Sequence, residues 1–371
     1  MSALKKAKIG VVGCGAISAA YFKTLKALEI TEVVACADLF PEAAKKRAEE
    51  FEVPRVYSVD ELLADPEIEI VINLTIPGAH AEVDQKILQA GKHPHSEKPF
   101  AVTRDDGKKV LALAKQKGLR VGCAPDTFLG GGHQTARRLI DEGAIGEVVS
   151  VTAFMQGHGH ESWHPNPEFY YKAGGGPMFD MGPYYLTAMV NMIGPVKRVT
   201  GMTRVTFKER TVTSQPRAGQ VIKVEVPTHV TGLLEFHNGA VGTIIQSFDV
   251  WGHSLPNIEV HGTEGSMRVP DPNGFGGQVF LRLPGQYQGW VEATNKHRYN
   301  DGARGLGAAD MAYGLRSGRP HRVSGELAFH VLDIMQTLHE SSDQGKHLEL
   351  GSTCARPAAI PVGLKDGTLD P

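Results

Sequence analysis

Gly13-Cys-Gly15-Ala16-Ile17-Ser18 sets two glycines one residue apart, directly after a short apolar run, and Asp38 follows 25 positions beyond Gly13. The first glycine permits a tight strand-to-helix turn, and the second lets the backbone approach a phosphate. A helix starting near Ile17 adds free N–H groups and a dipole favourable to an anion, so Gly13, Gly15, Ala16 and Ile17 are expected to meet a diphosphate. Ser18, at the third glycine position, is still small enough for the helix to pack near the strand. A carboxylate at Asp38 can accept hydrogen bonds from both ribose hydroxyls and repels a 2′-phosphate. Leu39 and Phe40 bring no cation to offset that repulsion. The pattern is that of a dinucleotide site, with NAD favoured over NADP.

Two further stretches hold side chains able to move a proton. One contains Glu97-Lys98-Pro99, and the other runs from Gly174 to Asp180-Met-Gly182-Pro-Tyr184. With the glycine loop, and with Gly262-Thr-Glu-Gly-Ser266 and Gly318-Arg-Pro320 in the same order, they resemble the Gfo/Idh/MocA oxidoreductases. That family includes glucose–fructose oxidoreductase and inositol dehydrogenase, and the similarity covers nearly the whole chain. The resemblance implies a Rossmann domain followed by an α/β domain whose open sheet often forms a subunit interface. It also makes Lys98 the active-site lysine, near the nicotinamide and the reacting hydroxyl. Thr75, Pro77, His80 and Glu97 are assigned to the cofactor side, Pro77 shaping the loop under the nicotinamide and His80 also reading as the start of a helix. The family's Asp-x-Gly-x-His pattern matches Asp180 and Gly182, but Tyr184 stands at the histidine position, as in glucose–fructose oxidoreductase. The proton carrier is therefore open.

The residue chemistry narrows it. Hydride leaves a carbinol carbon only as the hydroxyl proton is taken, so a base must lie within hydrogen-bond reach. A free phenol titrates near pH 10, roughly, but a neighbouring ammonium and a positive nicotinamide ring both favour phenolate. Asp180 and Tyr184 are four apart and share a side if one helix carries both. Tyr184 is taken as the acid/base, Lys98 as its electrostatic partner and hydroxyl ligand, and Asp180 as the orienting carboxylate. Lys98 as direct proton carrier is the alternative. So is a purely structural role, with Asp180 capping its helix and Tyr184 filling core.

His160, Trp163 and His164, within Gly157–Tyr171, are assigned to substrate: aromatic faces stack on a pyranose and imidazoles bond its hydroxyls. A surface loop packed by its own aromatics is the competing reading. His158, His160 and His164 raise a metal site, but no carboxylate or Cys completes a ligand set, and none is assigned. Asp126 follows a strand at the cofactor end of the sheet, where it could bind substrate or begin a turn.

These residues need a scaffold. Up to residue 125 strands and helices alternate: 8–12, 33–37, 70–74 and 120–123 read as buried strands. Pro41 opens a helix, Ser58-Val-Asp-Glu61 is a capping box, and Thr103 and Gly118 bracket another helix. This predicts an N-terminal doubly wound parallel sheet over 1–125. From 126 to 371 the pattern turns β-rich, with strands at 148–156, 198–207, 228–236, 240–249, 257–262 and 278–283, a tight turn at Asn238-Gly239, and helices at 133–142 and 325–341. It predicts an α/β domain with a large open, mainly antiparallel sheet, and loops at 210–225 and 270–305.

Composition bounds the rest. Of 371 residues 41% are hydrophobic, and the formal net charge is −2, which argues against a nucleic-acid or membrane partner. The beginning lacks a signal-peptide core, no run reaches a membrane span, and the four Cys form no CxxC pair. A cytoplasmic homodimer or homotetramer is expected. Its function reads as NAD-dependent hydride transfer on a secondary hydroxyl or ketone of a sugar, glycoside or cyclitol. The alternatives are an NAD-retaining enzyme that cleaves or epimerises glycosides through transient oxidation, and a non-catalytic sugar sensor.

Overall fold

In the computed structural model of the chain, which describes residues 4–285 and 289–370, the first six strands form one sheet. They are β1 (Ala7–Val12), β2 (Thr31–Ala37), β3 (Arg55–Tyr57), β4 (Ile70–Asn73), β5 (His93–Ser96) and β6 (Gly122–Cys123). Their spatial order is β3-β2-β1-β4-β5-β6, and every pairing is parallel. Ile70–Asn73 is buried along its whole length, as a sheet covered on both faces requires. Helices α1 (Ser18–Ala27), α2 (Pro41–Phe51), α3 (Val59–Ala64), α4 (His80–Gln89) and α5 (Arg104–Lys117) make the crossovers. Both halves of the Ser58/Glu61 capping box form at α3, and Gly118 ends α5 in the left-handed region. Strand order reverses between β1 and β4, so a crevice opens at the C-terminal ends of those two strands.

The second half adds α6 (Gly131–Asp141), β7 (Val148–Gln156), α7 (Gly176–Asp180), α8 (Gly182–Ile193), β8 (Val196–Arg204), β9 (Glu209–Thr211), β10 (Val221–Lys223), β11 (His229–Phe236) and β12 (Val241–Ser247). β13 (Ile258–Gly262), β14 (Ser266–Val269), β15 (Phe280–Arg282), β16 (Val291–Glu292), α9 (Leu306–Ser317), α10 (Gly325–Gln344) and β17 (Leu348–Glu349) follow. Nine of these strands form a sheet ordered β16-β15-β14-β13-β7-β12-β11-β8-β17. It is antiparallel except where β7 meets β12. On its inner face Val151, Val199, Val230 and Ile244 are fully buried. α10 lies directly on β8, because a Cβ at Gly201 would stand 2.1 Å from the Leu338 carbonyl oxygen. The other face is open: Met202 lies opposite Thr231, and Leu233 opposite Thr243, with Met202 76% and Leu233 48% exposed.

Three sequence expectations change. The 210–225 loop contains the β9–β10 hairpin. Within 270–305 the strand expected at 278–283 forms as β15, and β16 is added to it, while residues 286–288 fall outside the described residues. α9, which no periodicity had marked, packs against α1, β4 and β6, and Arg316 at its end pairs with Glu69. The N-terminal sheet is thus covered partly by residues beyond 300. Among the described residues no helix is long and apolar enough to cross a membrane.

Candidate active site

The glycine turn comes first. Gly13 sits at φ +97°, and a Cβ there would meet the Leu74 carbonyl oxygen at 2.6 Å, so only glycine fits between β1 and β4. Nothing lies within 4 Å of a Cβ built at Gly15, which leaves that backbone open to approach. No side chain caps α1. Asp38, at the end of β2, accepts from the N–H of Cys14 (2.6 Å) and of Phe40 (2.8 Å). Each carboxylate oxygen has a second lone pair, so these bonds leave capacity for ribose hydroxyls. Sequence reading missed one cation here. Arg47, two turns into α2, donates to Ser18 Oγ (3.1 Å) and to the Gly15 carbonyl (3.2 Å), and it pairs with Glu50.

Beside this turn, at Ile17, lies a cleft of about 310 Å³ that is partly open to solvent. Ile17, Leu74, Thr75, Pro77 and His80 form one wall, and Glu97, Lys98 and Pro99 the floor. Phe169, Tyr170, Phe179, Asp180, Tyr184 and Arg304 close the far side. Lys98 follows β5, and its peptide to Pro99 is cis. Glu97 fixes it from behind, accepting from Tyr21 OH (2.8 Å) and from the Lys98 N–H (3.0 Å). Lys98 Nζ donates to the Asp180 carbonyl oxygen (2.6 Å) and to Asp180 Oδ1 (2.7 Å). Burial alone would pull this ammonium down, but Asp180, then Tyr184 and Glu97, reverse that and hold it above the ordinary lysine range. For Asp180 burial pushes up, yet Lys98 and then His160 outweigh it, bringing the carboxyl to about 2.

Asp180 and Tyr184 do not share one helix: Asp180 ends α7, and α8 begins at Gly182 with Pro183 in its first turn. Both still line the cleft, and Asp180 makes no cap. Lys98 does not meet the Tyr184 oxygen. Its Nζ lies 5.2 Å from the ring centroid, while the Tyr184 hydroxyl accepts from Arg304 (3.1 Å). Burial raises the Tyr184 phenol, and Lys98 and Arg304 offset this only in part, so it stands above the ordinary value rather than below it. Lys98 thus favours phenolate electrostatically, as expected, but burial outweighs it. Arg304 lies 120 residues away, before α9, in a stretch read as loop, and nothing local in the sequence pointed to it.

Asp126 is fully buried, its Oδ2 accepts from the N–H of Gly305 (2.8 Å) and of Gly307 (3.0 Å), and it forms no part of the cleft lining. It anchors the start of α9, apart from the residues that line the cleft. Burial pushes its carboxyl up to about 6 against those two N–H groups and Arg304. His160, Trp163 and His164 stand behind the cleft rim. His160 stacks on Tyr170 (3.6 Å between centroids) and brings Nε2 to 3.5 Å from Asp180 Oδ2. His164 packs edge-on to Phe169 and Tyr170, and Trp163 is 62% exposed. A buried cluster pins this loop: Arg210 pairs with Glu161 (2.6 Å) and with Asp249, and Tyr171 donates to Glu161. Among the described residues no group of three His, Cys, Asp or Glu side chains could hold a metal ion.

Comparisons with known proteins follow the two halves. Residues 7–124 match the model of an oxidoreductase family with an NAD-binding Rossmann fold, and residues 133–268 match the GFO/IDH/MocA C-terminal domain. A dTDP-3,4-didehydro-2,6-dideoxy-alpha-D-glucose 3-reductase of Saccharopolyspora spinosa is 34% identical over 52% of this chain and 58% of its own. A levoglucosan dehydrogenase of Pseudarthrobacter phenanthrenivorans is 27% identical over 71% and 73%. The chain spans little more than half the length of the first curated relatives it matches. A solved levoglucosan dehydrogenase in complex with NADH superposes with a TM-score of 0.81 at 21% identity, covering 94% of this chain and all of the other, which shows the fold.

Proposed function

The chain belongs to the Gfo/Idh/MocA oxidoreductases, and from that premise we propose that it moves a hydride between NAD and a secondary hydroxyl or ketone of a sugar, glycoside or cyclitol. The observation that carries this reading is the Lys98–Asp180 pair, held in the cleft beside the glycine turn. The residues fit the cofactor: an uncapped α1, an open Gly15 and a carboxylate at Asp38. NAD, when bound, supplies the hydride acceptor; the remaining chemistry belongs to this chain's side chains.

Lys98 is the proton carrier in this reading. Its Nζ is the strong donor in the cleft and, held as ammonium, is ready to protonate the oxygen of a ketone undergoing reduction. In oxidation the same nitrogen must first lose a proton, which a positive nicotinamide nearby favours. Asp180 fixes that nitrogen through two acceptors. Tyr184, held by Arg304, orients the substrate oxygen, and Phe169 and Tyr170 offer aromatic faces to the sugar ring. The open face of the nine-stranded sheet, with Met202, Leu233 and Val241 in solvent, is assigned to a homodimer or homotetramer contact.

The test is NADH absorbance across a panel of monosaccharides, glycosides, anhydrosugars and inositols, with NADP run in parallel. Turnover with NAD and loss of it in Lys98→Met support the reading. Tighter NADP binding removes the Asp38 argument, and product formed without net NADH by protein that retains cofactor moves the assignment to transient oxidation.

A further inference from the structure

His80 opens α4, is 1% exposed, and faces two carbonyl groups. Its Nδ1 lies 2.8 Å from the Pro99 oxygen and its Nε2 2.9 Å from the Thr75 oxygen. Carbonyl oxygens only accept, and an imidazole offers two donors only with a proton on each nitrogen. A ring carrying one proton would bond one carbonyl and aim a lone pair at the other, a buried acceptor-to-acceptor contact. Turning the ring over puts carbons at both positions and forfeits both bonds.

The surroundings hold the matching charge. Asp84, four residues on and on the same helix face, is fully buried. It accepts from Ser96 Oγ (2.5 and 2.6 Å) and from Asn73 Nδ2 (2.8 Å), all neutral donors. Asn73 Nδ2 also donates to the His80 carbonyl (3.1 Å), while Asn73 Oδ1 accepts from Thr75 Oγ1 (2.7 Å). Burial pushes the Asp84 carboxyl up to about 6, with Asn73, Ser96 and then His80 opposing. The other charged groups along this cleft are Glu97 and Lys98 after β5, Asp180 at the end of α7 and Arg304 before α9. The α4 dipole disfavours a cation at its N-terminus, so the arrangement does not serve the helix itself.

We infer that His80 is a doubly protonated positioning residue, a charged clasp joining the loop after β4 to the peptide that follows Lys98. One end grips Thr75, on the cofactor wall of the cleft; the other grips Pro99, bonded directly to Lys98. The clasp sets the position of the Lys98 ammonium against the cofactor wall, and in that role it rests on the function proposed above.

The experiment is histidine-selective 15N NMR of the protein without NAD or sugar at pH 7, His80 being assigned by its disappearance in His80→Gln. Two protonated ring nitrogens are expected; a single-proton tautomer overturns the inference. Asp84→Asn, which keeps the amide-sized side chain and removes the charge, is expected to drive His80 to one proton, and an unchanged signature there overturns the pairing. If His80→Gln does not fold, scalar correlation from ring to backbone assigns the wild-type signal instead. In the loaded enzyme Asp84→Asn is expected to lower kcat on the order of 10²-fold with the sugar KM little changed, the mark of a misplaced proton carrier. An unchanged kcat overturns the positioning role. Because the NMR measurement contains neither cofactor nor sugar, a neutral His80 sinks the clasp alone, whereas absent NAD binding with an intact imidazolium signal sinks the functional reading alone.

Discussion

Replacing Asp180 by Asn keeps the shape of the side chain and removes the charge that holds Lys98. The pair is short, 2.7 Å, and both side chains are less than one-fifth exposed, so solvent screens it little. Bringing a carboxyl from an ordinary 3.8 to about 2 corresponds to about 2 kcal/mol, while deleting one member of a buried pair costs about 3–5 kcal/mol. A loss of about 2–4 kcal/mol is expected at pH 7. Because the folded carboxyl is depressed, its contribution is full above pH 3.8 and lost as pH falls through about 2. Because the Lys98 ammonium is raised, its part is full below 10.5 and is lost only above that value. The deficit of Asp180→Asn should therefore be flat between pH 5 and 8 in urea unfolding followed by Trp fluorescence. Freed of the carboxylate, Lys98 should deprotonate more readily, moving the ascending limb of the kcat profile for oxidation toward lower pH. A variant as stable as the parent, with a superimposable pH profile, would refute both the pair and the role given to Lys98.

Four other outcomes follow from single contacts. Gly13→Ala forces a side chain into φ +97° against the Leu74 oxygen; it should lower the thermal midpoint, cost at least about 2 kcal/mol and abolish NADH fluorescence binding. Asp38→Ala should bring the calorimetric affinities for NAD and NADP together, and an unchanged ratio would shift attention to Arg47. Arg304→Met removes a charged donor from the Tyr184 hydroxyl, worth about 1.5–3 kcal/mol. Turnover should fall accordingly, and no further when Tyr184→Phe is added, since the two act as a unit. Asp126 is raised to about 6 in the fold, so the folded state holds the extra proton and stability declines as pH climbs from about 4 to 6. Asp126→Asn should make that part of the urea-midpoint profile shallower, the decline that stays belonging to Asp84, which is also raised to about 6.

What the sequence disclosed depended on how locally each feature is encoded. The glycine turn, the Ser58–Glu61 box, the Pro41 start and the Gly118 stop are set by backbone geometry within a few residues, and each forms where its residues stand. Lys98 and Asp180 were legible as motifs, but their contact spans 82 positions, and only the resemblance put them together. The helix break at Met181 was hidden because Asp180 to Tyr184 has the spacing of one uninterrupted turn, although Pro183 marks a fresh start.

Asp126 was expected near substrate, and Arg304 was overlooked, for one common reason. The end of a parallel strand faces both the ligand crevice and whatever chain segment returns to cover the sheet, and strand periodicity cannot say which. Here the returning segment leads into α9: the N–H groups of Gly305 and Gly307 both bond Asp126 Oδ2, and Arg304, just before Gly305, lines the cleft where Asp126 does not. The same event accounts for both: one oxygen of the carboxylate expected at the substrate accepts from the turn into α9, and that turn brings the cation that meets Tyr184. That coupling means that weakening the anchor is felt at the cleft. Asp126→Ala should therefore loosen Arg304 and lower turnover in the manner of Arg304→Met, while leaving NADH affinity, which is set on the opposite side of the sheet's switch point, close to that of the parent.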